Sequence, residues 1–427
     1  MITIEDQPYA FTAVGQPLII VASSDNVGNT GFRYKVTITN TTGGDVVVFY
    51  LPPNPQDKLV VDLNTVLTKW CNNQIERDDV PVPFCDIISK EQQGAGLVVS
   101  SIEILEAWKI DGVLTDDAGS AETVDVTVWN AKYQISDGYR PNPATRYAMT
   151  STSQYVLSSR YASTHAPDIF PRISGTGNIV YIPVREQDYG VISFIADVAN
   201  AEGLGDGRTF RIQLIPNSGS PVSYSATEGS TNILHVGCYP ANLNANTVGA
   251  PKPSDYPNWK YITFQVLNNS SNIVSASYVL YNADLYGMTD CKFDNVRLGW
   301  VNEHGGWDFM NFTRKNEESI EVERRRYRKV VGTYAADTFG FNPYDRGLTE
   351  RAPIVQNYLN IESGWLQEGE FTFLKSLLYS KDVYIIGDDA TITPVLIEDT
   401  SYLVRRARDK KQYNQALKLK YAHNINV

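Results

Sequence analysis

Apolar and polar residues alternate with a period of two through much of the chain. Between residues 33 and 39, Tyr34, Val36 and Ile38 occupy every second position, with polar side chains between them. This spacing predicts a strand with one buried face. Similar alternation, or a short apolar run between turn-forming residues, predicts strands at 17–22, 45–50, 98–105, 124–135, 191–197, 209–215, 261–266, 274–281, 296–300, 383–386, 391–397 and 413–421.

Two segments have the spacing of helices instead. Residues 63–71 carry apolar side chains at helical spacing, and Asn64 is the expected N-cap. Residues 364–379 place Leu374 and Leu377 on one apolar face, with acidic residues towards the start of the segment and lysines towards its end.

Residues 319–331 fit either a helix or a strand. The segment begins with alternating Ile320 and Val322 and continues as the charged run ERRRYRK. We favour a long edge strand, because charged side chains are a common protection of a sheet edge.

The order of these elements predicts a mostly β fold with two immunoglobulin/fibronectin-like β-sandwich domains followed by a C-terminal α+β module. The N-terminal β-sandwich is expected at 1–136 and the second β-sandwich at 173–300. Residues 137–172 are rich in Ser, Thr, Pro and Tyr, which indicates an extended arm or linker. Residues 301–427 form the C-terminal α+β docking module.

The amino-acid composition argues against several classes of function. A hydrophobic content of 42% over 427 residues is sufficient for several cores. The net charge of −11 makes a general nucleic-acid binder a poor candidate, since phosphate attraction needs a positive field. The apolar runs are too short to span a bilayer, and MITIEDQPYA has no basic region followed by an apolar core. We therefore expect no membrane association and no secretory signal.

The four cysteines, Cys71, Cys85, Cys238 and Cys291, are far apart and form no CxxC pair. A Cys71–Cys85 bridge is one alternative. Synthesis in a cytoplasm favours free thiols that act as small buried hydrophobic residues.

Metal binding has only weak sequence signals. His235 and Cys238, with His304 or Cys291, are the best zinc candidates, but zinc sites usually use paired local ligands and only one such pair exists. The acidic loops at 111–119, 205–207 and 388–389 lack the spacing of an EF-hand. We expect satisfied core residues and solvated turns at these positions.

Catalytic motifs are also missing from the sequence. It contains no glycine-rich phosphate loop, G-x-S-x-G elbow or HExxH, and its four histidines have ordinary surroundings. A glycan-cleaving pair of carboxylates has no local signature among 48 acidic residues. We predict a protein that is not an enzyme, with no catalytic residues and no cofactor.

Two basic clusters stand out against the acidic background. The first is Arg324, Arg325, Arg326, Arg328 and Lys329, and the second is Arg405, Arg406, Arg408, Lys410 and Lys411. Each can be a contact with an acidic neighbouring subunit, a surface facing DNA, or a solvated strand face beside glutamates. Both lie in the C-terminal part, which makes that part the candidate docking module.

A strand, a Gly305-Gly306 turn and a second aromatic strand make up residues 291–312, CKFDNVRLGWVNEHGGWDFMNF. The run WVNEHGGWDFMNF resembles a block in tail-associated structural proteins of tailed bacteriophages infecting Bacteroidetes. Segments similar to the same group follow one order along the chain: AVGQPL at 13–18, GFRY at 31–34, VDLN at 61–64, HVGCYPANL at 235–243, WLQEGE at 365–370 and SKDVYI at 380–385.

The resemblance implies a virion location after synthesis in the host cytoplasm. It also implies assembly with copies of the same chain and with other tail proteins in the tail tip, baseplate or fibre-attachment region. Two alternatives remain open: a module that binds a host surface receptor or glycan, and a head decoration or neck protein.

Overall fold

The computed structural model describes residues 1–41, 43–71, 88–90, 96–132, 156–158, 179–195, 209–227, 233–245, 249–268, 270–286, 293–335, 337–366, 368–398, 413–423 and 425–426. Strands dominate these residues. Up to residue 227 the strands are β1 (Ile2–Asp6), β2 (Phe11–Gly15), β3 (Ile19–Ser24), β4 (Arg33–Asn40), β5 (Val46–Leu51), β6 (Lys58–Asp62), β7 (Ile88–Lys90), β8 (Leu97–Ile110), β9 (Val113–Lys132), β10 (Ile179–Val184), β11 (Ile192–Ile195), β12 (Thr209–Ile215) and β13 (Val222–Thr227).

The second half continues the same pattern and adds most of the helical residues. Its strands are β14 (Ile233–Val236), β15 (Tyr261–Leu267), β16 (Ser277–Asn282), β17 (Val296–Val301), β18 (Trp307–Phe312), β19 (Asn316–Arg328), β20 (Thr333–Ala335), β21 (Thr338–Gly340), β22 (Leu348–Leu366), β23 (Val383–Ile386), β24 (Ile392–Ile397), β25 (Tyr413–Tyr421) and β26 (Ile425–Asn426). The helical segments are α1 (Asn64–Trp70), α2 (Pro240–Ala245), α3 (Glu368–Tyr379) and a 3₁₀ turn at Pro253–Asp255. The predicted mostly β fold class with sandwich-like domains is confirmed.

Two sheets enclose the N-terminal core. One has the order β1-β3-β6 and the other β2-β9-β8-β4-β5. The alternating residues Tyr34, Val36 and Ile38 of β4 are fully buried between them, as the period of two predicts. The pairing of β2 with β9 is parallel, which a sequence pattern does not reveal.

The middle of the chain forms a second pair of sheets, with the orders β10-β16-β15-β12-β13 and β11-β14-β7. Strand β7 is the unexpected member, because it lies within the range predicted for the N-terminal sandwich. It pairs antiparallel with β14, with Ser89 opposite His235. The N-terminal part of the chain thus contributes a strand to the second group of sheets.

An eight-stranded sheet organises the C-terminal part, in the order β18-β17-β23-β24-β25-β22-β19, with β26 also paired to β22. Strand β17 belongs to this sheet, so the predicted boundary between residues 300 and 301 falls inside a strand. The indole of Trp300 donates to the Ser376 hydroxyl of α3 at 2.9 Å and packs against Phe373. Helix α3 therefore covers the sheet beside β17.

The β17–β18 hairpin is confirmed, with Val301 opposite Trp307. Its turn touches the N-terminal sandwich: the Trp129 indole donates to the His304 carbonyl at 3.1 Å. Gly305 has φ +80°, and a Cβ there would lie 2.6 Å from the Asn130 carbonyl oxygen. Glycine is required at this close approach.

Both predicted helices form, with shifted starts. The N-cap of α1 is Leu63, without a side-chain cap, so Asn64 as N-cap is wrong. The Asn64 amide instead donates to the Gln16 carbonyl, because the long-range contact replaces local capping. Helix α3 begins at Glu368, four residues later than predicted, since β22 continues to Leu366.

The predicted arm at 137–172 lies outside the described residues except for 156–158, where Val156, Leu157 and Ser158 are buried. No helix in the described ranges is long and apolar enough to cross a bilayer.

Candidate functional site: an exposed hairpin with a charged stem

The basic cluster at 324–329 lies on a long antiparallel hairpin made by β19 and β22. Asn316 is opposite Ile361 at one end of the ladder and Arg328 is opposite Leu348 at the other. Thirteen residues of β19 span about 43 Å at the usual rise of a strand. We call β19 and the facing half of β22 the stem, and residues 329–347 the tip. The predicted long edge strand is confirmed.

The stem is anchored at one end and exposed at the other. Opposite the first residues of β19, Tyr358, Leu359 and Ile361 of β22 are buried. From residue 320 to residue 330 every side chain is exposed. Successive residues of a strand face opposite sides, so both faces of the outer stem are accessible to solvent. Packing against a hydrophobic core therefore does not account for the length of this strand.

The tip carries large apolar side chains that face solvent. Strands β20 and β21 pair antiparallel at the tip, with Tyr334 opposite Phe339. Tyr344 is 79% exposed and Phe341 70%. The full set of exposed large apolar residues along stem and tip is Ile320, Val322, Tyr327, Val330, Tyr334, Phe339, Phe341, Tyr344 and Leu348. Such a concentration of exposed apolar residues typically marks a contact surface.

Charges on the stem are partly paired within the hairpin. Arg324 donates to Glu350 at 2.8 Å, and Arg326 approaches the same carboxylate at 3.4 Å. The hydrogen bond from Arg324 lowers the pKa of Glu350. Arg325 contacts Glu323 of its own strand at 3.1 Å. All these groups are solvent-exposed, so the pairs orient side chains more than they stabilise the fold.

The order of charges along β19 is segregated. Glu317, Glu318, Glu321 and Glu323 occupy the first part, and the first basic cluster follows from Arg324 onwards. Sequence reasoning found the cluster and its strand. It did not identify β22 as the partner of this strand, or that no described strand lies on its other side. The second cluster, including Arg405 and Arg406, lies outside the described residues.

The zinc candidates have other roles in the described structure. His235 Nδ1 is 2.8 Å from the Ser193 hydroxyl, and both residues are buried. Burial raises the pKa of the Cys238 thiol, which disfavours the thiolate that binds zinc. Cys291 lies outside the described residues. Within the described ranges, no group of three or more His, Cys, Asp or Glu side chains could hold a metal ion.

The Ser193–His235 pair has the residue types of a nucleophile and a base, but its surroundings are those of a core contact. Ser193 has no exposed surface and His235 is 2% exposed. The Ser193 hydroxyl also accepts the Trp307 backbone N–H at 3.1 Å. A substrate cannot reach this hydroxyl without opening the core, so the pair connects β11, β14 and β18.

The acidic loops engage protein partners where they are described. Asp116 accepts from Lys35 at 2.6 Å, and Asp388 accepts from Arg185 at 2.8 Å. Asp389 accepts from the Thr391 hydroxyl, which lowers the pKa of that carboxyl. The loop at 205–207 lies outside the described residues. The Asp389 contact is that of an ordinary turn, whereas Asp388 pairs with a distant arginine. Asp116 lies in β9, so the prediction of a loop at 111–119 is wrong beyond the Asp111-Gly112 turn.

A buried ion network was missed by the sequence reasoning. Asp188 is fully buried and accepts from Arg185 at 2.9 Å, while Arg297 Nη1 lies 3.3 Å away. The Arg297 guanidinium lies between the rings of Tyr239 and Phe309, at 5.0 and 5.3 Å from their centroids. An arginine at an alternating strand position gives no sequence signal of burial. The network joins the segment before β11 to β17 of the C-terminal sheet.

No family model matches the chain, and no curated protein matches it. Among solved structures, the crystal structure of a tetra-tandem repeat in the extending region of a large adhesion protein is similar to this chain. The likeness covers 97% of this chain and 73% of that chain, at 9% sequence identity and a TM-score of 0.23. A similarity with this TM-score indicates neither a shared fold nor a shared function.

Proposed function

We propose that this chain is a non-enzymatic structural protein of a tailed-phage virion, which assembles through protein–protein contacts in the tail tip, baseplate or fibre-attachment region. The observation that carries the assembly role is the exposed hairpin with its aromatic tip. The ordered resemblance along the sequence to tail-associated proteins of phages infecting Bacteroidetes supports the virion location.

The tip has the composition of an interface core. Tyr, Phe and Trp are enriched at the centres of protein–protein contacts, where their large rings exclude water at low conformational cost. Tyr334, Phe339, Phe341 and Tyr344 lie within eleven residues of one another in sequence and are all more than half exposed. A neighbouring virion protein that covers them removes this apolar area from water and stabilises the assembly.

The stem positions the tip away from the body of the protein. Its backbone is held by an antiparallel ladder with one register shift between Arg324 and Arg326, and by the Arg324–Glu350 and Arg326–Glu350 pairs. A hairpin of this kind can reach a neighbouring subunit without a change in the sandwich domains. This arrangement suits a repeated assembly, in which many modest contacts add up.

Receptor binding is the second candidate, because exposed aromatic rings at the end of a projecting hairpin can also pack against a host-surface molecule. A glycan array separates the two roles. Binding of a defined surface glycan, lost when Phe341 is replaced by Ser, would favour recognition over assembly.

Antibody labelling of intact particles tests the virion role. Sera against residues 1–132 and against the whole chain are applied to purified phage particles and imaged by electron microscopy. Gold-conjugated antibody bound at the tail end supports the proposal. Gold over the capsid would move the protein to the head, and absence of the chain from purified particles by mass spectrometry would refute the virion role.

A tip variant tests the contact surface. Phe339→Ser with Phe341→Ser should fold like the wild type, because neither ring is buried, yet fail to enter particles in a complementation assay. The matched control is Tyr379→Ser, which removes another ring that is 62% exposed outside the hairpin. Equal incorporation of the tip variant and the control would exclude the tip as an assembly contact.

A further inference from the structure

The outer edge of β19 is free along its whole length in the described structure. The eight-stranded sheet ends at this strand, which pairs with β22 on one side and with no described strand on the other. The edge is thirteen residues long. An edge of this length offers a row of backbone N–H and C=O groups to another strand.

The charges on this edge indicate what the other strand is. Charged side chains protect a sheet edge from pairing with other strands, and this protection does not depend on the order of the charges. Here the glutamates come first and the arginines follow. A second β19 laid parallel would place like charges together, whereas an antiparallel one places each acidic half opposite a basic half.

We propose that β19 pairs antiparallel with β19 of a second copy of this chain, around a two-fold axis at Glu323. The proposal rests on the assembly function above and names a partner for the stem.

Symmetry selects the register. A two-fold axis perpendicular to the sheet keeps each residue and its copy on the same face of the sheet. Opposed residues also share a face, so the axis must pass beside one residue that lies opposite its own copy. With Glu323 at the axis, the opposed pairs are Glu321 with Arg325, Glu318 with Arg328, and Glu317 with Lys329. Each of these opposite-charge pairs forms twice.

Neighbouring registers are less favourable. With Arg324 at the axis, two arginines are opposed and the opposite-charge pair that remains is Glu323 with Arg325. With Val322 at the axis, Glu321 is opposite Glu323. In the favoured register the two Glu323 carboxylates meet at the axis, but each already contacts Arg325 of its own chain at 3.1 Å. That contact offsets the repulsion between them.

Disulfide trapping tests the register in the full-length protein. Glu323→Cys places two thiols opposite each other across the axis, within the Cα separation that a disulfide spans. Oxidation should then give a covalent dimer. Ser319→Cys is the matched control on the same strand and face, since its own copy lies about 27 Å away in this register. The wild type gives the background from its own cysteines.

The trapping experiment has clear outcomes. Covalent dimer from Glu323→Cys, with Ser319→Cys at the wild-type background, supports the register. Equal cross-linking of both variants, or none from Glu323→Cys at concentrations where sedimentation shows a dimer, overturns it.

Charge reversal tests the partner. One variant carries Glu317→Lys, Glu318→Lys and Glu321→Lys, and the other carries Arg325→Glu, Arg328→Glu and Lys329→Glu. Each alone should dimerise more than about tenfold more weakly than the wild type, because all six opposed pairs become repulsive. An equimolar mixture should form a heterodimer by sedimentation velocity.

Failure of the pairing is distinguishable from failure of the assembly function. A wild type that sediments as a monomer at every accessible concentration, and a mixture that forms no heterodimer, would refute the edge pairing. Antibody label at the tail of intact particles would still support the virion role in that case.

Discussion

Replacing Asp188 with Asn should destabilise the protein strongly, because it leaves the Arg297 guanidinium buried without its counter-charge. Arg297 is only 3% exposed and cannot regain water by a change of rotamer. Asn keeps the size of the side chain, so packing changes little and the electrostatic loss dominates. An amide nitrogen also meets N–H donors from Arg185 and Asn311 where the carboxylate accepted them.

The expected magnitude follows from the burial of both groups. Breaking a buried ion pair by removing one partner typically costs about 3–5 kcal/mol. For a cooperative unit of about 150–250 residues, each kcal/mol lowers the melting temperature by about 2–4 °C, so the shift is about 6–20 °C. Arg297→Met should cost less, since Asp188 retains its hydrogen bonds from Arg185. The double variant should be more stable than the sum of the two costs predicts.

Urea denaturation monitored by tryptophan fluorescence and circular dichroism measures these costs. The matched control is Arg324→Met on the exposed stem, which removes a cation from another arginine–carboxylate pair and should leave the midpoint within experimental error. A cost below about 1 kcal/mol for Asp188→Asn, or strictly additive costs in the double variant, would show that the buried pair is not coupled.

Three further changes test separate parts of the fold. Desolvation opposes ionisation of Glu106, but hydrogen bonds from Asn26 and Ser24 outweigh it and hold its pKa below 4.5. Glu106→Gln should therefore cost about 1–3 kcal/mol of unfolding free energy at pH 7. Urea midpoints should show that this difference in stability from the wild type shrinks as the pH falls below 4.5 and through the folded pKa. A difference in stability that does not change with pH would contradict this. Gly305→Ala should cost more than about 2 kcal/mol in the same assay because of the Asn130 carbonyl, whereas Gly112→Ala, with φ +82° and open space, should cost only about 1–2 kcal/mol; equal costs would refute the steric argument. Burial raises the pKa of Tyr34 to about 12, so the contribution of this residue to stability is complete below pH 10 and is lost as the pH rises towards 12. Tyr34→Phe should lack this loss of stability in urea titrations at alkaline pH. An equal alkaline decline in Tyr34→Phe and the wild type would contradict this assignment.

Local pattern predicted the strands because a half-buried strand imposes its period of two on the residues themselves. The alternation of Tyr34, Val36 and Ile38 gave β4 its inward face, and the two glycines at 305–306 gave the β17–β18 turn. The charged run after Val322 predicted an edge strand because side chains of that kind remain in water. These properties depend on neighbours in sequence.

The choice of partner strand was not accessible from the sequence, since pairing depends on residues far apart in the chain. Strand β7 pairs with β14, and β17 joins the C-terminal sheet, although neither segment carries a signal for its partner. The burial of Arg297 also follows only from the ring stack and the Asp188 carboxylate that surround it. The sequence by itself determined the mostly β class, the long charged strand and the position of its basic cluster. Only the tertiary structure decided that β22 is the partner of this strand and that no described strand lies on its other side, because both depend on which residues are neighbours in space.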